Sequence, residues 1–277
     1  MPKLYPGYFM AAALVLLVAH EAPAAGTGQL DGDRIGLTYE VYSGGFHVLT
    51  VDLDLSHASQ RYDVTSRLQT AGLLSWLVSW KQVSESAGTV NGAGVAPERY
   101  RSDGEFRGRR RSIEIEYQAG QVSAVRVEPP ARPDEDRDEV SEEQRREAVD
   151  PLAAILGAIH RLSAGQPCAG RLRVFDGRRR YDLVLTDRGA RPLRESRFAA
   201  FAGEALQCDF VFEQIAGHIR RPTDPEIAQR RIQSGRVYSA RSGGPLLTPV
   251  RIELDGEWGM TVAHLRGMRS GASGSVR

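Results

Sequence analysis

Apolar and polar residues alternate with a period of two along most of this chain. Leu37, Tyr39 and Val41 oppose Thr38 and Glu40, and Leu49, Val51, Leu53 and Leu55 oppose Asp52 and Asp54. Tyr62, Val64 and Leu68 oppose Arg61, Asp63 and Arg67, and Ile113, Ile115 and Tyr117 oppose Glu114 and Glu116. Successive side chains of a strand point to opposite faces, so this period reads as half-buried antiparallel strands. The pattern returns at Tyr181, Leu183 and Leu185, at Phe210 and Phe212, at Val250, Ile252 and Leu254, and at Trp258, Met260 and Val262. Between these segments stand SGGF from Ser43, QAGQ from Gln118, FDGR from Phe175 and SGGP from Ser242, all suited to tight hairpins that need positive φ. The expectation is a meander of about ten strands.

Two segments break the alternation. Residues 129–149 are charged, proline-led and without an apolar face until their end, which predicts a solvated connection. Ser141 with Gln144 has the spacing of a capping box for a short helix there. In DPLAAILGAIHRL, Asp150 can cap, Pro151 suits the first helical position, and Leu152, Ile155, Leu156, Ile159 and Leu162 form one stripe. The other side of that helix carries Ala153, Ala154, Gly157 and Ala158, so it has almost no polar face and must be enclosed. A flat sheet of so many strands would leave its apolar face wet. The predicted fold is therefore mainly β, of the α+β class: a strongly curved antiparallel sheet, or open barrel, around one apolar helix.

The N-terminus changes the picture of where the protein works. Lys3 precedes an apolar run from Phe9 to Ala19 and an Ala-x-Ala pattern at Ala22 and Ala24, which reads as a cleaved signal peptide over residues 1–24. The run is shorter than the roughly 20 residues that span a bilayer. Export to an oxidising compartment leaves Cys168 and Cys208 free to pair, and the spacing supplies no partners for a catalytic thiol or a metal site, so a disulfide is expected. A single domain over residues 34–266 and an unstructured tail over 267–277 complete the organisation.

At 277 residues, 41% hydrophobic and 26% charged, the chain is long enough for a substantial core, and its formal net charge of +1 gives no global field that calls for nucleic acid. Familiar catalytic signatures are absent: there is no Gly-x-Ser-x-Gly, His-Glu-x-x-His, phosphate-cradling loop or dinucleotide fingerprint. His47, His57, His160, His218 and His264 show no metal-ligand spacing, and Asp52, Asp54, Glu114 and Glu116 sit on outward faces. No catalytic residue, cofactor or metal is expected. The runs Arg109 to Arg111 and Arg178 to Arg180 read as solvated hairpin ends, with lipid headgroup phosphate as the alternative contact.

One stretch stands out. GLLSWLVSWK, from Gly72, packs Leu73, Leu74, Trp76, Leu77, Val78 and Trp80 into ten residues. Burying such a side chain is worth roughly 1.5–3 kcal/mol, so the six are expected to be covered. They are either ordinary core plugging one end of the curved sheet or the lip of an apolar ligand cavity.

The segments LTYEVYSGGFHVLTVDLDL, GLLSWLVSWK, DPLAAIL, VFDGRRRYDL, CDFVFEQIAG and PVRIEL followed by WGMTVAHL resemble the exported proteobacterial proteins grouped as domain of unknown function 3108, over Leu37 to Leu265. The resemblance implies a Gram-negative periplasmic location and carries no catalytic or binding residues. The expected architecture is also similar to the periplasmic carriers of outer-membrane lipoproteins, an analogy of shape. The function expected is that of a non-enzymatic periplasmic protein for cell-envelope maintenance, which binds an acyl chain, lipid or other apolar moiety through the six residues above. The alternatives are an envelope protein-interaction module and, less favoured, a hydrolase using a carboxylate pair.

Overall fold

Each alternating segment falls in a strand of one antiparallel sheet, save Trp258, which lies outside the described residues. The computed structural model describes residues 33–58, 60–92, 94–130, 138–218, 233–242, 246–256 and 259–271. The expected signal peptide and the glycines of SGGP lie outside these. In chain order the strands are β1 (Asp33–Ser43), β2 (Phe46–Ala58), β3 (Arg61–Thr70), β4 (Trp80–Asn91), β5 (Gly94–Phe106), β6 (Arg109–Gln118), β7 (Gln121–Glu128), β8 (Gly170–Phe175), β9 (Arg180–Leu193), β10 (Gly203–Ala216), β11 (Gln233–Arg241), β12 (Leu247–Gly256) and β13 (Gly259–Gly271). Helix α1 (Leu74–Leu77) lies between β3 and β4, and α2 (Glu142–Arg145) and α3 (Pro151–Ser163) lie between β7 and β8. The thirteen strands run in the order β7-β6-β5-β4-β3-β2-β1-β13-β12-β11-β10-β9-β8. Two meanders are thus joined where the first strand pairs with the last, and the sheet is left open at β7 and β8.

The sheet curls around α3 as the enclosed helix requires. That helix packs against β4 and β5 on one side and β8 and β12 on the other, which a flat sheet in this strand order would not allow. The two halves also touch directly. Gly177, at φ +90° in the β8–β9 turn, lies so close to β6 that a Cβ there would sit 2.3 Å from Ile113 Cγ2, and only glycine combines that φ with that approach. Leu152, Ala153 and Leu156 of α3 pack with Tyr62, Tyr100, Ile115 and Phe175, while Ala154 packs with Val174, Tyr181, Leu183 and Phe210. Away from the helix, Leu37, Tyr39, Val51 and Leu68 meet Ala205, Val250 and Leu265 from the other meander.

Local chemistry follows the predicted caps. Asp150 Oδ1 accepts from Leu152 N (3.0 Å) and Ala153 N (2.9 Å) at the start of α3, with Pro151 in the first turn. Ser141 Oγ accepts from Gln144 N, and Gln144 Oε1 accepts from Ser141 N. Cys168, just past α3, is disulfide-bonded to Cys208 on β10 with a Cα separation of 5.8 Å.

Three expectations are corrected. The strands number thirteen, since β4, β5, β7, β8 and β11 match none of the alternating segments named above; β4 and β5 present Ser84, Ser86 and Ser102 to the interior, where the apolar alternation looks for hydrocarbon. β13 runs to Gly271 and pairs Gly267–Gly271 with Arg34–Thr38, so the sheet takes up the first part of the supposed tail. Arg179 and Arg180 are not a solvated hairpin end. Arg179 pairs with Asp176 (2.6 Å), and the buried Arg180 pairs with Asp182 and donates to Gln144 O (2.9 Å).

Candidate functional site

The residues of GLLSWLVSWK stand at one rim of the sheet and do not form a single site. After β3 the chain turns at Gly72, whose φ of +57° brings its backbone beside His47 O, where a Cβ would clash at 2.6 Å. Ala71 N donates to Val48 O (2.9 Å), which ties the same turn to β2. Residues 74–77 then make one helical turn beyond the strand ends, and there the packing stops. Leu73, Trp76 and Leu77 are 75%, 89% and 81% exposed, while Leu74, Val78 and Trp80 are half-buried. Burial of all six, as plug or as lid, is therefore corrected. The loop stays in water instead of being buried against the sheet, because no described element covers Leu73, Trp76 and Leu77. Trp80 alone returns to the core, edge-on to Phe106 at 6.3 Å, its Nε1 donating to Gln82 Oε1.

The rim extends the exposed apolar surface to residues that the sequence reading passed over. Phe46, directly after the Gly44–Gly45 turn, is 67% exposed, and Met260 at the start of β13 is also exposed. Antiparallel pairing places both at the same end of the sheet as residues 73–77, since the β1–β2, β3–β4 and β12–β13 connections share that end. An apolar residue right after turn glycines was the available signal for Phe46. The β5–β6 turn lies beside the base of the loop, where Arg107 N donates to Ser79 O (2.8 Å). Arg107, Arg109 and Arg110 are exposed there, Arg107 over the Phe106 ring and Arg110 at 3.6 Å from Glu105.

Polar groups converge elsewhere, inside the curl. Ser86 Oγ donates to Asp150 Oδ2 (3.0 Å) and hydrogen-bonds Tyr62 OH (3.0 Å), and Tyr100 OH hydrogen-bonds Ser84 Oγ (2.9 Å). All five residues are buried. Burial raises the Asp150 carboxyl to about 7, against the lowering effect of the backbone N–H groups and Ser86. A perturbed acid is a catalytic candidate only where substrate can reach it. Asp150 has no exposed surface, and its bonds are those of a helix cap.

A second cluster lies on the outer face of β1 and β13. Tyr42 stacks on His47 (5.3 Å between ring centroids) and meets Phe198 (4.8 Å), which stacks on His264 (6.2 Å). Burial, together with the charges of Arg251 and Arg266 and against that of Glu40, lowers the His264 imidazole to about 4. The folded state therefore stays neutral while the unfolded chain takes up a proton below about 6.5. This stability contribution is complete above pH 6.5 and is lost as pH falls toward 4. In His264→Phe, the unfolding free energy relative to the parent is expected to improve steadily as urea titrations move from pH 7 to pH 4; a constant difference would disprove the shift.

Three of the four outward carboxylates have partners of their own instead of converging on one another: Asp54 with Arg67, Asp52 with Thr38 Oγ1 (2.7 Å), and Glu114 with Arg101 and Arg126. Among the described residues no three His, Cys, Asp or Glu side chains are grouped to hold a metal. An open groove of about 510 Å³ runs along residues 195–202, and none of the six expected ligand-binding residues lines it.

A family model described as a protein of unknown function, DUF3108, matches residues 38–265. The chain belongs to that family. No curated protein matches this DUF3108 chain. Among solved structures it is similar to a β-barrel-like protein of the DUF1849 family from Brucella abortus, with 9% identity, 87% of this chain and 98% of that one covered, and a TM-score of 0.48. It is also similar to a candidate lipoprotein from Parabacteroides distasonis, with 9% identity, 87% and 97% coverage, and a TM-score of 0.31. Likeness at this level does not bear on function. Among the described residues no helix is long and apolar enough to cross a membrane.

Proposed function

We propose that this DUF3108 protein is an exported, non-enzymatic component of a Gram-negative cell envelope that binds the acyl part of a lipid at its β3–β4 tip. One observation carries the reading: Leu73, Trp76 and Leu77 are held in water by a turn that is itself well anchored to β2. Each such side chain forgoes roughly 1.5–3 kcal/mol while uncovered, and clustered apolar surface of this kind marks a contact with an apolar partner. The concave side of the sheet offers less for a ligand, since α3 and the side chains around it occupy it. Leu74, Val78 and Trp80, half-buried beneath the tip, would form the floor of the contact.

Titrating a soluble fatty acid into the mature protein should shift tryptophan emission to the blue, and Trp76→Phe should remove most of that shift. An unmoved spectrum, together with no lipid in extracts or native mass spectra of protein from the periplasm, would end this reading.

A second reading, a protein-interaction module, is favoured by the open edge at β7, whose outer side pairs with no strand among the described residues. Photocrosslinking in cells from position 76 on the tip and from position 126, exposed on β7, separates the two. A single dominant protein adduct from position 126 supports the second reading, and lipid adducts from position 76 support the first.

A further inference from the structure

We propose that the rim carrying the β3–β4 tip docks on the surface of an anionic phospholipid bilayer, with Leu73, Trp76 and Leu77 inserted among the acyl chains and Arg107, Arg109 and Arg110 on the headgroup phosphates. This deepens the lipid reading above and rests on it. The first support is where the exposed hydrocarbon lies. The four most exposed large apolar side chains of the described residues, Phe46, Leu73, Trp76 and Leu77, share one end of the sheet. Met260 and Ile215 are exposed near the same end, since β13 starts there and β10 finishes there. Exposed hydrocarbon gathered at one end of the sheet suits entry into a fluid apolar phase.

Charge supplies the second support and names the partner. The stretch from Glu105 to Arg111 contains one carboxylate and four guanidinium groups, a local excess of three positive charges in a chain whose formal net charge is only +1. Its turn is pinned to the base of the apolar loop by the Arg107 N to Ser79 O hydrogen bond, and Trp80 pairs with Phe106 at the same level. Residues 73–77 extend past that level. Going outward along the rim, one therefore meets guanidinium groups first and tryptophan and leucine beyond them, with Trp76 the most exposed. A bilayer presents the complementary sequence from water inward, phosphate and then hydrocarbon. A protein groove would cover the leucines but has no general need for cations at a fixed depth behind them. Arginine suits this place, since its planar fork binds phosphate oxygens in pairs.

The test is co-sedimentation of the mature chain with vesicles of phosphatidylcholine alone and of phosphatidylcholine mixed with phosphatidylglycerol, at low and high salt, with brominated acyl chains as quenchers. The protein is expected to partition onto the anionic vesicles, to be released by salt, and to show tryptophan quenching that disappears in Trp76→Phe. Arg109→Gln with Arg110→Gln should weaken that partition roughly 10- to 30-fold, and Trp76→Ala with Leu77→Ser should abolish it, both without lowering the melting temperature. Equal partition onto both vesicle types, no partition, or an unchanged arginine double variant would overturn the proposal. A fatty-acid response without vesicle binding would leave the acyl-binding reading standing and this inference lost. Vesicle binding without a fatty-acid response would do the reverse.

Discussion

Reduction of the Cys168–Cys208 disulfide lowers the melting temperature by about 8–16 °C. The bond closes a loop of 40 residues that contains β8, β9 and the start of β10. In the chain-entropy account, releasing such a loop in the unfolded state costs about 4 kcal/mol of stability, and a domain of this size loses about 2–4 °C per kcal/mol. The native side reinforces the estimate. Both cysteines are buried with Leu162 and Leu247, and Cys168 N donates to Asp187 Oδ2 (3.0 Å), so the bridge ties the end of α3 into the second meander. Differential scanning calorimetry with and without a phosphine reductant measures the shift, and the paired Cys→Ser variant should melt like the reduced protein and ignore the reductant. An unchanged melt on reduction would mean that packing alone holds the α3 connection against β10.

Asp150→Ala destabilises the protein by roughly 3 kcal/mol or more at pH 5, from the loss of a cap on two N–H groups and the stranding of the buried Ser86 and Tyr62 hydroxyls. The carboxyl is the meeting point of α3 and β4: Leu152 N and Ala153 N donate to one oxygen and Ser86 to the other. Its titration adds a sign that a purely structural cap would lack. An acid raised in the folded state, here to about 7 from 3.8, costs the fold nothing below pH 3.8. The cost then grows as pH climbs to about 7, because the unfolded chain releases the proton first. Asp150→Asn keeps a capping oxygen and removes the titration. Its stability relative to the parent should therefore rise between pH 4 and pH 7, in urea titrations at several pH values, and a flat difference would show that the carboxylate is ionised throughout. In the parent this trend is masked below pH 6.5, since His264 contributes the opposite slope.

Both of these buried features bear on the sheet rather than on ligand contact, and the proposed lipid surface lies at the other extreme of exposure. Leu73, Trp76 and Leu77 can change without touching the core, which makes binding separable from folding in a way that substitutions at Asp150 or Cys208 are not.

Strand, cap and cysteine chemistry were legible in the order of residues because each depends on near neighbours or on a period. Leu49 to Leu55 alternate whatever they face, Asp150 and Pro151 begin a helix by their own geometry, and a helix bearing alanines opposite leucines has to be covered. From these alone came the antiparallel class, the enclosed α3 and the need for a curved sheet. Tertiary structure decided what each inward position would meet. Ser84, Ser86 and Ser102 look solvent-facing in β4 and β5, yet they are buried: Tyr62 and Asp150 meet Ser86, Tyr100 meets Ser84, and Gln82 donates to Ser102 Oγ, all from other segments. The tip shows the converse. Hydrophobicity is a property of the side chain, whereas burial requires a second surface, and at this rim the fold provides none for Trp76.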